Sequence, residues 1–187
     1  MMRLPTSVWT PLFAAVLMVA GPVAAQDSLD EITRRAESGD EGSIHRLCYG
    51  SAYGREGVRR NDADALRWCA KGDELGIPSS TVLLAEIYFR GQGTKADLVK
   101  ARSLYLRAAG MGHAYAQYMA GTMLWLGEGG PRDQSEAMRY IDLAAAAGLP
   151  PAIDAKRQFE EHKNDSRRAG GTSPNQSIQG GPADAGR

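Results

Sequence analysis

An all-α fold, a short right-handed α-solenoid of stacked antiparallel helix pairs, is predicted by three observations. Gly57, Gly93 and Gly129 stand 36 residues apart, and Gly76, Gly112 and Gly148 keep the same step. So do the small residues Ala65, Ala101 and Ala137 and the bulky set Trp68, Leu104 and Tyr140. Tyr53, Phe89 and Trp125 add an aromatic column at the same interval. Columns that hold register over three copies mark a repeat architecture, in which one supersecondary unit stacks on the next to bury a continuous core.

The elements follow in chain order. Residues 1–25 read as a secretory signal peptide: Arg3, an apolar stretch from Val8 to Ala20, then Val23 and Ala25 before a cut at Gln26. The apolar stretch is short of the roughly 20 residues of a membrane span and contains Pro11. Export to the periplasm or the exterior is therefore expected, with no stable membrane insertion after cleavage. Ser28 to Glu31 has the spacing of a capping box and opens a helix over 28–38 with Leu29, Ile32 and Ala36 on one face. The repeat domain, 26–161, then holds three units at about 40–76, 77–112 and 113–148, closed by a capping helix over 151–161.

Within a unit, the first helix carries apolar residues at helical spacing, as at Leu83, Leu84, Ile87 and Tyr88 near 78–90. It stops where glycine allows the chain to reverse, at Gly91 to Gly93. The second helix starts at Asn61, Asp97 or Asp133, whose side chains accept from the free N–H groups of a first turn. Its alanine lets the two helices approach. The first unit fits least well, because Gly39 to Gly57 spans 18 residues where Gly76 to Gly93 spans 17, which leaves its first helix uncertain by one residue. From His162 to Arg187 one large apolar residue, Ile178, remains, and a disordered tail is expected over 162–187.

These units resemble Sel1-like repeats, relatives of tetratricopeptide repeats that are two residues longer. The second copy carries the pattern in Leu84, Ala85, Tyr88, Gly91, Gly93, Asp97, Ala101, Leu104, Tyr105, Ala108, Ala109 and Gly112. The third carries it in Gly121, Gly127, Gly129, Asp133, Ala137, Tyr140, Ala144, Ala145 and Gly148. The first departs from it at Gly72-Asp73, where two alanines are usual. The resemblance covers about residues 28–160. It implies a non-catalytic adaptor or regulatory protein of the bacterial envelope, monomeric, that binds a peptide or protein on the concave surface made by its first helices. A second reading is a cysteine-rich Sel1-like protein with weak penicillin-binding, β-lactamase-type or cell-wall ligand activity.

The candidate groove residues are Tyr53, Glu86, Phe89, Arg90, Tyr115, Tyr118, Thr122 and Trp125. Aromatic side chains with a polar end suit such surfaces. The competing reading of the column Tyr53, Phe89, Trp125 is that its rings serve packing. Cys48 and Cys69, the only cysteines, fall on facing helices of one unit and read as a disulfide in an exported chain, or else as two buried thiols. His45 with Cys48 and Cys69 lacks a fourth zinc ligand, so no metal and no cofactor is expected. His113, just past Gly112, reads as a solvated loop residue. Charge balances at 22 basic against 22 acidic residues without a basic stripe, which argues against nucleic acid. Gly-x-Ser-x-Gly, His-Glu-x-x-His, a phosphate loop and Ser-x-x-Lys are all missing from the sequence, so no enzyme is expected.

Overall fold

The computed structural model describes residues 28–170, which form eight helices. They are α1 (Leu29–Glu37), α2 (Glu41–Tyr53), α3 (Asp62–Glu74), α4 (Pro78–Arg90), α5 (Leu98–Gly110), α6 (Ala114–Leu126), α7 (Gln134–Ala146) and α8 (Pro150–Gly170). Helices α2 to α7 are each 13 residues long and pair as three hairpins, α2–α3, α4–α5 and α6–α7. The leader expected over 1–25 lies outside the described residues.

Local chemistry starts each second helix. The Asn61 side chain accepts from the N–H groups of Ala63 and Asp64, Asp97 from Lys100 and Asp133 from Glu136, at 2.9 to 3.2 Å. Ser28 does the same for α1, accepting from Glu31 at 3.2 Å. Each such bond satisfies a donor that the first turn leaves free, and losing one costs about 1 kcal/mol. His113 is the unexpected member of this set. It is the N-cap of α6, its side chain accepting from Ala116, rather than a solvated loop residue.

Packing joins the hairpins into one stack. Ala65, Ala101 and Ala137 are fully buried, and a single core runs from Ile32 to Tyr140. Each hairpin also packs on the next through its second helix, α3 on α4, α5 on α6 and α7 on α8. Two basic residues 36 apart tie the second helices together. Lys71 donates to the terminal carbonyls of α1, at Ala36 (2.7 Å) and Glu37 (2.9 Å), and Arg107 reaches the Asp73 carboxylate on α3. Asp73 also accepts from Thr81 at 2.8 Å, so the departure from Ala-Ala has a use in bridging α3, α4 and α5. Gly72 has a separate one: a Cβ there would lie 2.4 Å from the Cβ of Ser80, so glycine lets α3 close onto α4.

Two boundaries differ from the sequence reading. The irregular first unit keeps its full 13-residue first helix but starts it one residue early. The loop after α2 holds eight residues (54–61), against seven (91–97 and 127–133) in the later units. The extra residue falls among Arg55, Glu56 and Gly57, where Glu56 adopts φ 57°. At the other end, α8 continues to Gly170, nine residues past the expected end of the capping helix. The start of the disordered tail at His162 is thereby corrected, since the His162 ring packs edge-on against Trp125, 5.9 Å between centroids, and is flanked by helix-forming Glu160, Glu161 and Lys163. Residues 171–187 lie outside the described residues.

Candidate functional site

The one-residue offset of α2 rearranges the aromatic column. Counted from its helix start, Tyr53 is the thirteenth residue of α2, matching Arg90 and Leu126, while Phe89 and Trp125 are twelfth and match Ala52. The reading of Tyr53, Phe89 and Trp125 as one column is therefore corrected. Burial follows the helical positions, with Ala52 and Trp125 buried and Tyr53, Arg90 and Leu126 exposed. A chain step of 36 is blind to an insertion that falls between the helix and its following glycine.

Trp125 itself is covered. Its ring stacks on Phe159 of α8 with centroids 4.1 Å apart and planes within 4°, leaving it 7% exposed. In this structure it holds the last helix in place and presents little surface. Phe89 is half-buried and packs against the core.

What faces outward from the first helices is a different set. Along α2, His45, Tyr49 and Tyr53 occupy positions four apart and form a run of rings, with centroid spacings of 6.2 and 5.0 Å. On α4 the same positions hold Val82, which is buried, then Glu86 and Arg90, and on α6 they hold Tyr118, Thr122 and Leu126. Tyr115 precedes Tyr118 on α6, their rings 6.3 Å apart. Among alternate helices the fullest direct packing is of α2 on α4, which marks the first-helix layer as the inner side of the stack. His45 and Tyr49 stand at an i, i+4 spacing legible in the sequence, off the columns that repeat every 36 residues.

Glu86 is the centre of this surface. The Tyr53 hydroxyl donates to its carboxylate across the α2–α4 boundary. Arg90, one turn on, approaches the same oxygen at 3.8 Å. Burial, then hydrogen bonding to Glu86 and its charge, push the Tyr53 hydroxyl well above the usual tyrosine range. Tyr115 is raised by burial, then by the charge of Glu86 and hydrogen bonding to it. Behind them Tyr105 of α5 is fully buried and strongly raised by that burial, with the Glu86 charge adding to it. Of the eight predicted groove residues, the structure gathers Tyr53, Glu86, Arg90 and Tyr115 around one carboxylate. Tyr118 and Thr122 lie beside them, and Phe89 and Trp125 are set apart in the packing between helices.

The cysteines pair. Cys48 and Cys69 form a disulfide, their Cα atoms 4.8 Å apart, joining α2 to α3. Cys48 is the eighth residue of its helix, the position of Ala85 and Gly121, and Cys69 keeps the 36-residue register of Tyr105 and Ile141. In the third hairpin a Cβ at Gly121 would meet Ile141 at 2.8 Å. The bridge thus occupies, in the first hairpin, the place where the third hairpin brings Gly121 close to Ile141.

The fold defines an α-solenoid of helical-hairpin repeats, with a polar and aromatic inner face and no strand among the described residues. The chain belongs to the Sel1 repeat family, whose profile matches residues 43–76, 78–113 and 114–149. It is similar in structure to a Sel1 repeat protein from Oxalobacter formigenes, with a TM-score of 0.63 and 32% identity over 70% of this chain and 97% of that one. In sequence it is 32% identical over 112 residues to HRD3A, an ERAD-associated E3 ubiquitin-protein ligase component of Arabidopsis thaliana, covering 57% of this chain and 16% of that protein. It is also 32% identical over 132 residues to an exopolysaccharide production negative regulator of Rhizobium meliloti, covering 63% of this chain and 49% of the regulator. The chain thus spans at most about half the length of these two relatives. Sel1 repeat proteins are typically protein-interaction adaptors.

Proposed function

We propose that the protein is a non-catalytic adaptor or regulator of the bacterial envelope that receives a peptide or protein segment on the inner face of its first helices. The observation that carries this reading is the set of polar and aromatic side chains that runs from His45, Tyr49 and Tyr53 through Glu86 and Arg90 to Tyr115, Tyr118 and Thr122. Rings with polar ends give large contact area at low entropic cost, and the neighbouring Glu86 carboxylate fixes orientation. The exported location is supported by the disulfide, which persists in oxidising compartments, and by the signal-like residues 1–25. No helix among the described residues is long and apolar enough to cross a membrane. A regulatory role agrees with the name of the Rhizobium meliloti relative, a negative regulator of exopolysaccharide production.

The test is site-specific photocrosslinking in the producing cell. A crosslinker at Tyr118 or Thr122 is expected to capture one defined protein, and a crosslinker at Val99, exposed on α5, is not. Thr122→Arg should abolish the capture with helical circular dichroism unchanged. Equal capture from both faces, or capture that survives Thr122→Arg, would reject the inner face as the binding surface.

A further inference from the structure

We infer that Glu86 is the anchor point of the inner face and takes a lysine or arginine side chain of the partner, an inference that rests on the inner-face reading above. The Glu86 side chain is 14% exposed, so most of its hydration is gone. Its hydrogen-bond donors are neutral hydroxyls, those of Tyr53 and Tyr115. Arg90, at 3.8 Å, is beyond hydrogen-bonding distance and 57% exposed, so it is a loose neighbour with solvent to retreat into. A largely desolvated carboxylate without a hydrogen-bonded cation is the less stable half of an ion pair.

The surroundings narrow the complement. Tyr105 is 0% exposed, and its hydroxyl has no hydrogen-bond partner within the protein. Full burial keeps that hydroxyl out of a partner's reach, so the choice of ligand falls to Glu86 and the hydroxyls around it. An incoming anion would face the Glu86 charge. An apolar side chain would strip the last water from Glu86 and give the carboxylate nothing in return, at the cost that burying an uncompensated charge carries. An ammonium or guanidinium brings both charge and donors to the carboxylate. The rings of Tyr53 and Tyr115 add the attraction of aromatic faces for a cation. Arg90 is then a competitor for the carboxylate and not a ligand of the partner.

The proposal is tested by selecting displayed random 12-residue peptides on the purified full chain with its disulfide intact, then measuring binding by fluorescence polarisation. The selected peptides should share a lysine or arginine, and changing that residue to glutamine should weaken binding at least tenfold with the protein untouched. Glu86→Gln should weaken the same peptide similarly, whereas Arg90→Ala should tighten it two- to threefold. Peptides that lose binding with Thr122→Arg yet need no basic residue would overturn this inference and leave the inner-face reading standing. Loss on Arg90→Ala would overturn it as well, by making Arg90 a ligand. Peptides indifferent to Thr122→Arg, or no selected peptide at all, would remove the inner-face reading and this inference with it.

Discussion

Trp125 and Phe159 lie face to face, 4.1 Å between ring centroids, and this contact fastens the last helix to the last full hairpin. Trp125 is 7% exposed because α8 covers it, so its truncation acts on the fold before it acts on any partner. Removing a buried tryptophan typically costs 3–5 kcal/mol, and Trp125→Ala should fall toward the lower end because α8 is terminal. Phe159→Ala should be milder and should expose the indole. In a background with Trp9→Phe and Trp68→Phe, the Trp125 emission is expected to shift to the red and become quenchable by iodide. Emission unchanged by Phe159→Ala would mean the stack does not hold in solution.

The disulfide should stabilise chiefly by limiting the unfolded chain. Closing about 22 residues contributes about 3 kcal/mol on the loop-entropy account. Paired Cys48→Ser and Cys69→Ser substitutions should lower stability in urea by about that amount, with little change in circular dichroism at zero denaturant. Reduction of the native protein should give the same shift, and a coincident pair of unfolding curves would refute the contribution.

Gly72 offers a test in which helix propensity and packing disagree. Alanine at an interior helical position is ordinarily favoured over glycine by about 1 kcal/mol. Here the new Cβ would fall 2.4 Å from the Ser80 Cβ and 3.2 Å from Ile44 Cγ2. Overpacking of this kind costs about 1–3 kcal/mol, so Gly72→Ala should destabilise despite matching Ala108 and Ala144 of the later units. A more stable Gly72→Ala variant would show that α3 and α4 separate freely.

The cap at His113 should make α6 sensitive to mild acid. Its side chain accepts from the Ala116 N–H through Nδ1, which requires the neutral ring, and burial lowers its proton affinity below the ordinary value near 6.5. The unfolded chain therefore binds the proton more readily, and stability from this site is present above about 6.5 and lost as pH falls through the lower folded value. Protonation should remove about 1 kcal/mol, the worth of a cap. His113→Asn keeps an acceptor without titrating. The wild type should lose stability relative to His113→Asn as pH falls from 7 to 5, and parallel profiles would exclude the cap.

The tyrosines around Glu86 act at the opposite end of the scale. Tyr53, Tyr105 and Tyr115 are all raised, so the folded chain resists an ionisation that the unfolded chain undergoes near 10. Their contribution is complete below that pH and is lost as pH climbs toward the raised values. Phenolate absorbance should lag behind that of the urea-unfolded protein, and Tyr105→Phe should reduce the lag. Superimposable titrations would remove the buried phenols.

Much of this architecture can be read in the chain because the repeat imposes it. The capping residues Asn61, Asp97 and Asp133 and the buried Ala65, Ala101 and Ala137 fall in the structure where their spacing puts them. What escaped has a common cause, in that spacing reports sequence position and not helix phase. An extra residue beside Glu56 moves Tyr53 to the helical position of Arg90 and puts Ala52 where Phe89 and Trp125 stand. Likewise nothing in the composition after Glu161 announces that His162 packs on Trp125. The carboxylate at the centre of the inner face was among the candidate residues. Its central place depends on Tyr53 reaching it from one hairpin back, a tertiary fact with no one-dimensional signature.

The two ends of the stack are fastened by different kinds of bond. The first hairpin carries the one covalent cross-link this sequence can make within itself, at Cys48 and Cys69. The far end rests on a pair of rings and a Lys156–Asp142 ion pair at the surface. In a nearest-neighbour array each hairpin is supported by its flanks, so loosening starts where support is one-sided and reversible. Among the described residues the flanking helices α1 and α8 therefore loosen first, and a protease or a pulling force opens the α6–α7 hairpin before the bridged one.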